Sequence, residues 1–183
     1  DSVRPSATPL IEGLHQKGIK TALLTGDPGD SGPWLGERLG ITDVQTGLTP
    51  EQKLAQVRQW QAAGERILMV GDGINDVPVL AGADLAVAVS EATDLAKTNA
   101  DALLTSGRLT ALLTAFDGAT KTRRIIIQNI SWALIYNLIA LPIAAAGYIP
   151  PWAAAIGMSL SSLLVTGNAL RLAKLKNSAP RRE

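Results

Sequence analysis

Cysteine is absent from this chain of 183 residues, which also has one histidine and two methionines. Without cysteine there is no disulfide framework and no thiolate metal site within the chain. A second absence is local, because residues 125–170 contain no Lys, Arg, Asp or Glu. Charged side chains cover much of the surface of a water-soluble domain. An uncharged run of this length therefore argues against a wholly soluble chain, and its apolar content argues against disorder.

The charges on the two sides of this run differ in sign. Residues 1–124 hold 12 Lys/Arg and 15 Asp/Glu, whereas residues 171–183 hold 5 Lys/Arg and 1 Glu. A basic segment directly after an apolar run is explained by a membrane surface, so we expect no nucleic-acid partner. The polar residues 1–5 do not resemble a signal peptide. Since they lack an initiator Met, we expect a piece of a longer protein.

Residues 1–120 alternate helix-like and strand-like patterns, which predicts an α/β domain with a parallel sheet and helices on its faces. The sequence Thr49-Pro50-Glu51-Gln52 predicts a capping box at the start of one helix. The predicted helices cover residues 7–17, 31–39, 50–63 and 77–82, and the predicted strands cover Ile19–Leu24, Ile67–Val70, Leu85–Val89 and Ala102–Leu104.

Two loops rich in Gly and Asp, residues 25–30 and 71–76, follow predicted strands at their carboxyl ends. Functional loops of α/β sheets lie at these ends. Asp72 and Asp76 offer hard oxygen ligands that suit Mg²⁺. A threonine hydroxyl in the first loop and the Lys53 ammonium can contact phosphoryl oxygens and stabilise their charge. An isolated Gly-Asp-Gly, by contrast, is more often an ordinary turn.

Four segments stand out as motifs, in the order Asp1–Pro5, Leu24–Asp27, Thr49–Lys53 and Val70–Leu80. They resemble, in the same order, motifs of the P-type ATPases. The resemblance implies a haloacid-dehalogenase-like, Rossmann-like fold, and it identifies residues 1–120 as the C-terminal part of a phosphorylation domain. Val70–Leu80 is similar to the hinge motif G-D-G-x-N-D-x-P-x-L, Leu24–Asp27 to the T-G-D loop, Thr49–Lys53 to the P-x-x-K segment and Asp1–Pro5 to the D-x-x-R-P stretch.

The same resemblance implies roles for individual residues. Asp72 would bind Mg²⁺, and Asp76 would support the loop or the metal. Asp27 would tie the domain hinge rather than act as a nucleophile. The residues that would contact an aspartyl phosphate are Thr25, Gly26, Lys53 and Asn75.

One part of the catalytic site is missing from the sequence. The family's phosphorylated Asp lies in the motif D-K-T-G-T, and this chain contains no such string. The ATP-binding domain that follows that motif in the family is also missing. Because electrostatic stabilisation requires a group to stabilise, we predict that this polypeptide alone neither hydrolyses ATP nor forms a phosphoenzyme.

Residues 121–183 are predicted to form two transmembrane helices and a basic cytoplasmic tail. The uncharged stretches Ile125–Gly147 and Trp152–Leu170 are close to the ~20 residues that cross a bilayer. Basic residues flank both outer ends and the connecting turn is uncharged, so we expect a multi-pass protein of the cell membrane with both ends in the cytoplasm. A buried hairpin of a soluble protein is the alternative, but it would need a charged stripe on each helix. The flanking basic residues are Lys121, Arg123, Arg124, Arg171, Lys174 and Lys176.

Polar residues inside the predicted spans have two interpretations. Ser, Asn and Gly often serve helix packing in membranes, whereas polar groups at this depth also mark ion pathways. The Met158 thioether is a soft ligand that suits copper(I). Packing explains most of these residues without any ligand, so spacing alone leaves both interpretations open.

The resemblance to copper-type heavy-metal ATPases favours an ion path. Tyr136-Asn137 resembles their Y-N pair, Met158–Ser162 their M-x-x-S-S motif and Asn168–Leu172 their N-A-L-R-L ending. The zinc/cadmium branch has a Lys and an Asp in these helices, and neither span here is charged. The segment Leu141–Trp152 most resembles the bacterial copper pumps for cytochrome oxidase assembly. The implied copper(I) path comprises Tyr136, Asn137, Met158, Ser161 and Ser162.

These patterns predict part of an ATP-driven, copper(I)-translocating P-type ATPase. Its expected partners are the lipid bilayer and the remainder of the pump, which supplies the nucleophile, the nucleotide domain and a Cys-Pro-Cys helix. A copper chaperone is a further candidate partner. Two alternatives remain open, namely a membrane-anchored phosphatase of the haloacid-dehalogenase type and a non-catalytic remnant of a truncated pump.

Overall fold

The computed structural model describes residues 3–72 and 74–173. Contacts divide the chain into two compact units, Asp1–Leu113 and Thr114–Glu183. Some residues named above lie outside the described part, so their predictions have no structural outcome. These residues are Asp1 of the D-x-x-R-P stretch and Lys174 and Lys176 of the tail.

The first unit has the predicted alternation of strands and helices. The predicted strand Ile19–Leu24 is shorter in the structure, and two short elements, the second strand and the fifth helix, were not predicted. The helices are α1 (Ala7–Gln16), α2 (Ser31–Leu39), α3 (Pro50–Ala62), α4 (Val77–Gly82) and α5 (Asp94–Thr98), the strands are β1 (Ala22–Leu24), β2 (Asp43–Gln45), β3 (Leu68–Gly71), β4 (Leu85–Val89) and β5 (Ala102–Leu104), and a 3-10 turn covers Ile74–Asp76.

All strand pairs in this unit are parallel, but they form two sheets rather than one. One sheet pairs β1 with β2, and the other has the order β3-β4-β5. Within the described residues no strand hydrogen-bonds to both β1 and β3. The predicted parallel pairing of strands is therefore confirmed, and the described strands form two parallel sheets where one was expected.

Local sequence signals explain the start of α3, the helix that carries Lys53. The Thr49 hydroxyl accepts from the Gln52 amide at 3.3 Å, and the Gln52 side chain accepts from the Thr49 amide at 2.8 Å. This reciprocal pair is the predicted capping box, with Pro50 at the first helical position. It fixes the first turn of α3 and hence the place from which Lys53 projects.

The core of the unit lies between α4 and the three-stranded sheet. Val79, Leu80 and Ala88 are at most 1% exposed. At the opposite end of β3 from the Gly-Asp loop, the Asp84 carboxylate accepts from the Ile67 amide at 3.0 Å and from the Arg66 guanidinium at 2.8 Å. The Ile67 amide, with Gln61 and Arg66, lowers the pKa of Asp84 to about 2. The Asp84 carboxylate thus holds the residues at the start of β3, and the Gly-Asp loop follows the other end of the strand.

The second unit contains two long apolar helices, α6 (Ala111–Ala145) and α7 (Pro151–Leu170). Both have the length and composition of membrane spans, with mean hydropathy 1.5 and 1.4 in their most apolar windows. Only 6% and 0% of these windows are buried within the chain, so the hairpin is not the buried core of a soluble fold here. Helix α6 begins before the first predicted span and continues through Pro142. Gly147, in the turn, has a φ of +79°, which a glycine adopts without strain.

Candidate phosphate site and candidate ion path

The loop after β1 is held by backbone hydrogen bonds to β2 and to the segment that follows β2. The Thr25 amide donates to the Gln45 carbonyl at 2.9 Å, and the Leu48 amide donates to the Thr25 carbonyl at 3.0 Å. The Thr25 hydroxyl oxygen accepts from the Asp27 amide at 3.1 Å. A side chain at Gly26 would meet the Leu48 carbonyl at 3.3 Å, so glycine suits this close approach of two chain segments.

The Asp27 carboxylate serves the same loop. It accepts from the Ser31 hydroxyl and, at 2.9 Å, from the Gly29 amide. These two donors, Ser31 first, hold the pKa of Asp27 below its ordinary value. The carboxylate is thus engaged in joining the loop to the start of α2. This use fits a structural tie better than a nucleophile, in line with the role that the resemblance implies.

The most buried of the ion pairs described in the first unit joins α3 to the Gly-Asp loop. Lys53 is 8% exposed, and its Nζ donates to Asp76 Oδ1 at 2.8 Å. The two side chains are 10% and 16% exposed. A Cβ added at Gly71 would lie 3.1 Å from the Asp76 Cβ. Asp76 is therefore enclosed between Lys53 and the end of β3, which supports its predicted role in holding the loop.

Asp72 and Asn75, from the same loop, are exposed. The Asp72 carbonyl accepts from the Thr93 amide at 3.1 Å, and the Thr93 hydroxyl in turn accepts from the Ala96 amide at 3.3 Å to cap α5. Sequence reasoning missed Thr93, although a threonine directly before an Asp-containing turn is a recognisable N-cap signal. The backbone of the loop is anchored while the Asp72 carboxylate points to solvent.

The carboxylates of this loop fit Mg²⁺ better than a metal that needs a full protein cage. In the described residues no three His, Cys, Asp or Glu side chains converge on one point. Mg²⁺ is typically held by one or two carboxylates, with water and phosphate oxygens as its other ligands. Asp72 supplies one accessible carboxylate, and Asp76 supplies a second that is already paired with Lys53.

The structure brings together some of the predicted phosphate contacts and leaves others apart. Lys53, Asp76 and the Gly71–Asp72 segment form one cluster. Thr25 and Gly26 lie after β1 on the other sheet, and no hydrogen bond described in the structure joins them to that cluster.

In the second unit, polar side chains join α6 to α7. Trp132 Nε1 donates to Ser161 Oγ at 3.1 Å. The Asn168 amide donates to Asn129 Oδ1 at 2.8 Å, and Asn129 donates to the Val165 carbonyl at 3.4 Å. These bonds are helix-packing contacts of the kind expected between membrane helices. They account for Ser161 without a metal. Sequence reasoning missed Trp132 as its partner.

The five residues of the predicted copper path fall into two groups. Tyr136 and Ser161 are partly buried between the helices, whereas Asn137, Met158 and Ser162 are exposed on the hairpin. Met158 is 66% exposed. Because Met158 and Ser162 are four residues apart, they share one face of α7. The hairpin alone therefore does not enclose these three side chains.

Gly157 is required for the position of Tyr136, and its replacement gives a testable effect. A Cβ at Gly157 would lie 2.6 Å from Tyr136 Oη, whereas nothing lies within 4 Å of a Cβ at Gly167 on the same helix. We expect Gly157→Ala to destabilise the hairpin by about 1–3 kcal/mol through overpacking, and Gly167→Ala to be stabilising or neutral. Thermal unfolding of the chain in detergent, followed by circular dichroism, measures both.

A second substitution identifies the cause. The next atom of the ring, Cζ, is 3.6 Å from the added Cβ, an ordinary contact distance. Tyr136→Phe should therefore restore most of the stability that Gly157→Ala removes. A Gly157→Ala chain that Tyr136→Phe leaves equally unstable would show that the clash is not with the phenol oxygen.

Comparison with known proteins shows which proteins this chain is similar to. Residues 1–84 match the family model of haloacid dehalogenase-like hydrolases. A copper-exporting P-type ATPase of Staphylococcus aureus (strain JH9) is 40% identical over 183 residues, which is 100% of this chain and 23% of the relative.

Solved structures agree with this result. A zinc-transporting PIB-type ATPase in its E2.Pi state matches 94% of this chain and 28% of its own, with a TM-score of 0.88 and 35% identity. The catalytic domain of the CPx-ATPase CopB-B matches 62% of this chain and 45% of its own, with a TM-score of 0.59 and 35% identity.

The predicted fold class, a haloacid-dehalogenase-like domain followed by two apolar helices, is confirmed. The chain spans about a quarter of the length of the curated relatives that it matches, 23% in the strain JH9 protein. The names of those similar proteins are a copper-exporting P-type ATPase and a zinc-transporting PIB-type ATPase. The chain is thus homologous, over its whole length, to a segment of the heavy-metal P-type ATPases.

Proposed function

We propose that this chain is the segment of a copper(I)-translocating P-type ATPase that carries the magnesium and phosphate-contact loops and the last two membrane helices of the ion path. One observation carries the proposal. The enclosed Lys53–Asp76 pair lies beside the Gly71–Asp72 loop, in the same chain as an uncharged hairpin that holds Tyr136-Asn137 and Met158. Residues 1–120 form the phosphorylation part and residues 121–183 the membrane part.

In this proposal the first unit stabilises charge on a phosphoryl group. The Lys53 ammonium is fixed by the capped first turn of α3 and by Asp76, so it brings a preorganised positive charge to phosphoryl oxygens. Asp72 and, with it, Asp76 would hold Mg²⁺, which when bound supplies further positive charge. Thr25, Gly26 and Asn75 would contact the same phosphate, and the loop that holds Thr25 is kept in shape by Asp27.

The phosphate acceptor and the ATP site belong to the rest of the proposed pump. Strands β1 and β3 each pair on one side only among the described residues, and an unpaired strand edge is a template for a further strand. We infer that a strand from the remainder of the pump pairs there and brings the nucleophilic Asp. A phosphatase or a remnant would instead have to act without that Asp.

The membrane part would carry copper(I) as the transported substrate. Asn137, Met158 and Ser162 are exposed on the hairpin and can meet thiolates of a Cys-Pro-Cys helix, which are soft ligands like the thioether. Tyr136 and Ser161 would support them from the interface. The absence of charge from residues 125–170 favours copper(I) over zinc, since a divalent ion is better matched by a carboxylate.

The location and partners follow from the same proposal. The two helices would lie in the cell membrane, with Lys121, Arg123, Arg124 and Arg171 at the cytoplasmic side. The bilayer and the remaining three quarters of the pump would be its direct partners. A copper chaperone would deliver the ion from the cytoplasm, because free copper(I) binds soft protein ligands tightly.

A chimera tests the transported ion. The 183 residues replace the matching segment of the Staphylococcus aureus exporter, and ATP hydrolysis is measured in membrane vesicles with copper(I) or Zn²⁺. We expect stimulation by copper(I) and, for Met158→Ala, a loss of copper(I) affinity of at least about tenfold. Leu163→Ala is the control, because Leu163 is 67% exposed on the same helix, against 66% for Met158. Stimulation by Zn²⁺ with no effect of Met158→Ala would contradict the proposed substrate.

A further inference from the structure

A polar pocket opens at the base of the hairpin, away from the proposed ion path. Its volume is about 270 Å³, and it lies wholly within the second unit. Three cations line it, Lys121 and Arg124 from α6 and Arg171 from the end of α7. Asp117 carries the one opposing charge, so the lining has a surplus of two positive charges. The other lining residues are Thr120, Ile125 and Gln128.

One cation of this pocket, Arg171, is held in place by polar contacts of the hairpin. The Arg171 guanidinium donates to Asn168 Oδ1 at 3.0 Å. Asn168 in turn donates to Gln128 Oε1 at 3.3 Å and to Asn129 on α6. This chain of bonds ties the end of α7 to α6. Ile125, 3% exposed, is the apolar residue of the lining. The site thus combines one guanidinium group that is held by a hydrogen bond, that of Arg171, with two further cations from α6.

The pocket lies at the depth where a membrane surface is expected. Arg124 directly precedes the uncharged run 125–170 and Arg171 directly follows it. In an antiparallel hairpin the two guanidinium groups therefore share one level, at the edge of the apolar part. Lys121 and Arg124 form no ion pair with any described residue. Guanidinium groups bind phosphate through parallel hydrogen bonds.

We propose that this pocket binds the phosphate group of an anionic phospholipid, such as phosphatidylglycerol, with the acyl chains against the exposed apolar faces of the hairpin. The proposal rests on the proposed function only in requiring that α6 and α7 lie in a membrane. A lipid is favoured over a soluble anion because the apolar residues next to the pocket, Ile126 and Ile127, are each 50% exposed. Basic pockets between membrane helices on the cytoplasmic side bind such head groups.

The test uses the whole chain in a neutral detergent. Equal amounts of phosphatidylglycerol and phosphatidylcholine with the same acyl chains are added, and native mass spectrometry counts the lipids retained. We expect preferential retention of phosphatidylglycerol. Arg124→Gln or Arg171→Gln should lower that preference about fivefold each. Arg123→Gln is the matched control, since Arg123 is exposed and outside the pocket, and it should change the preference less than about twofold.

Further measurements distinguish a lipid pocket from diffuse charge attraction and from a site for soluble anions. An equal loss in Arg123→Gln and Arg124→Gln would show diffuse attraction and overturn the pocket. Displacement of the lipid by millimolar inorganic phosphate would show a soluble-anion site and overturn the lipid proposal. Helix content by circular dichroism confirms that the variants fold.

Flotation of the chain with pure phosphatidylcholine vesicles measures membrane insertion independently of the pocket. Insertion without any preference for phosphatidylglycerol would contradict only the proposal of a lipid pocket. A failure to insert would contradict the membrane part of the proposed function.

Discussion

Replacing Asp72 by Asn in the chimera is expected to lower the rate of phosphoenzyme formation by about 10²–10³-fold. The Asp72 carboxylate is the one exposed acidic group of the loop after β3, and its amide analogue has no charge to hold Mg²⁺. The defect should be relieved in part at high Mg²⁺ concentration, because the remaining ligands are unchanged. Rapid quench with labelled ATP over a range of Mg²⁺ concentrations measures both effects.

Asp94→Asn provides the control for that result. Asp94 is a fully exposed carboxylate of α5, the helix whose cap anchors the Asp72 backbone, and its only described ion pair is a long one of 3.9 Å to Lys97. We expect this variant to keep the rate and the Mg²⁺ dependence of the parent chimera. If Asp72→Asn and Asp94→Asn behaved alike, Asp72 would have no special part in binding the metal.

Replacing Lys53 by Met is expected to lower the free energy of unfolding of the chain by on the order of 3 kcal/mol, since it leaves a largely buried carboxylate without its partner. Asp76 is 16% exposed and is paired with Lys53 at 2.8 Å. The double variant Lys53→Met with Asp76→Asn should recover much of this loss, because no buried charge remains. Chemical unfolding in detergent, followed by circular dichroism, measures the free energy of unfolding of the parent chain, the single variant and the double variant.

The same two variants separate stability from catalysis. We expect the double variant in the chimera to fold well yet to form little phosphoenzyme, because it lacks both the positive charge near the phosphoryl group and one of the two carboxylates proposed to hold Mg²⁺. Lys20→Met is the control for the loss of an ion pair. The pair of Lys20 and Glu65 is exposed, with side chains 86% and 48% accessible, and such pairs contribute little. Full activity in the double variant would limit Lys53 to a structural role.

Sequence reasoning predicted the elements whose signals are local. The capping box at Thr49 and the apolar strand before Gly71 specify their own conformation over a few residues, and both are present. Strand β2 and helix α5 were missed. Strand β2 has only three residues and helix α5 only five. Both are stabilised by neighbours distant in sequence, and the Thr93 amide at the start of α5, for example, donates to the Asp72 carbonyl. The split of the strands into two sheets was also missed, because a sequence pattern does not state which strands pair.

The contacts between the site residues were less predictable than the identity of those residues. Motif resemblance selected both Lys53 and Asp76, but their direct pairing across 23 positions follows from the packing of α3 beside the loop, which spacing does not reveal. In the hairpin, a sequence does not state which face of an uncharged helix meets its neighbour. The resemblance places Ser161 in the ion path with Met158, and in the structure the Ser161 hydroxyl oxygen accepts a hydrogen bond from Trp132 Nε1.

Formation of an acid-stable phosphoenzyme from labelled ATP and Mg²⁺ tests the central proposal most directly. We expect no label on the isolated 183-residue chain, which lacks the nucleophile motif, and copper(I)-dependent label on the chimera in which the chain completes the Staphylococcus aureus exporter. Label on the isolated chain would contradict the proposal. So would a folded chimera that binds ATP and copper(I) but never becomes phosphorylated.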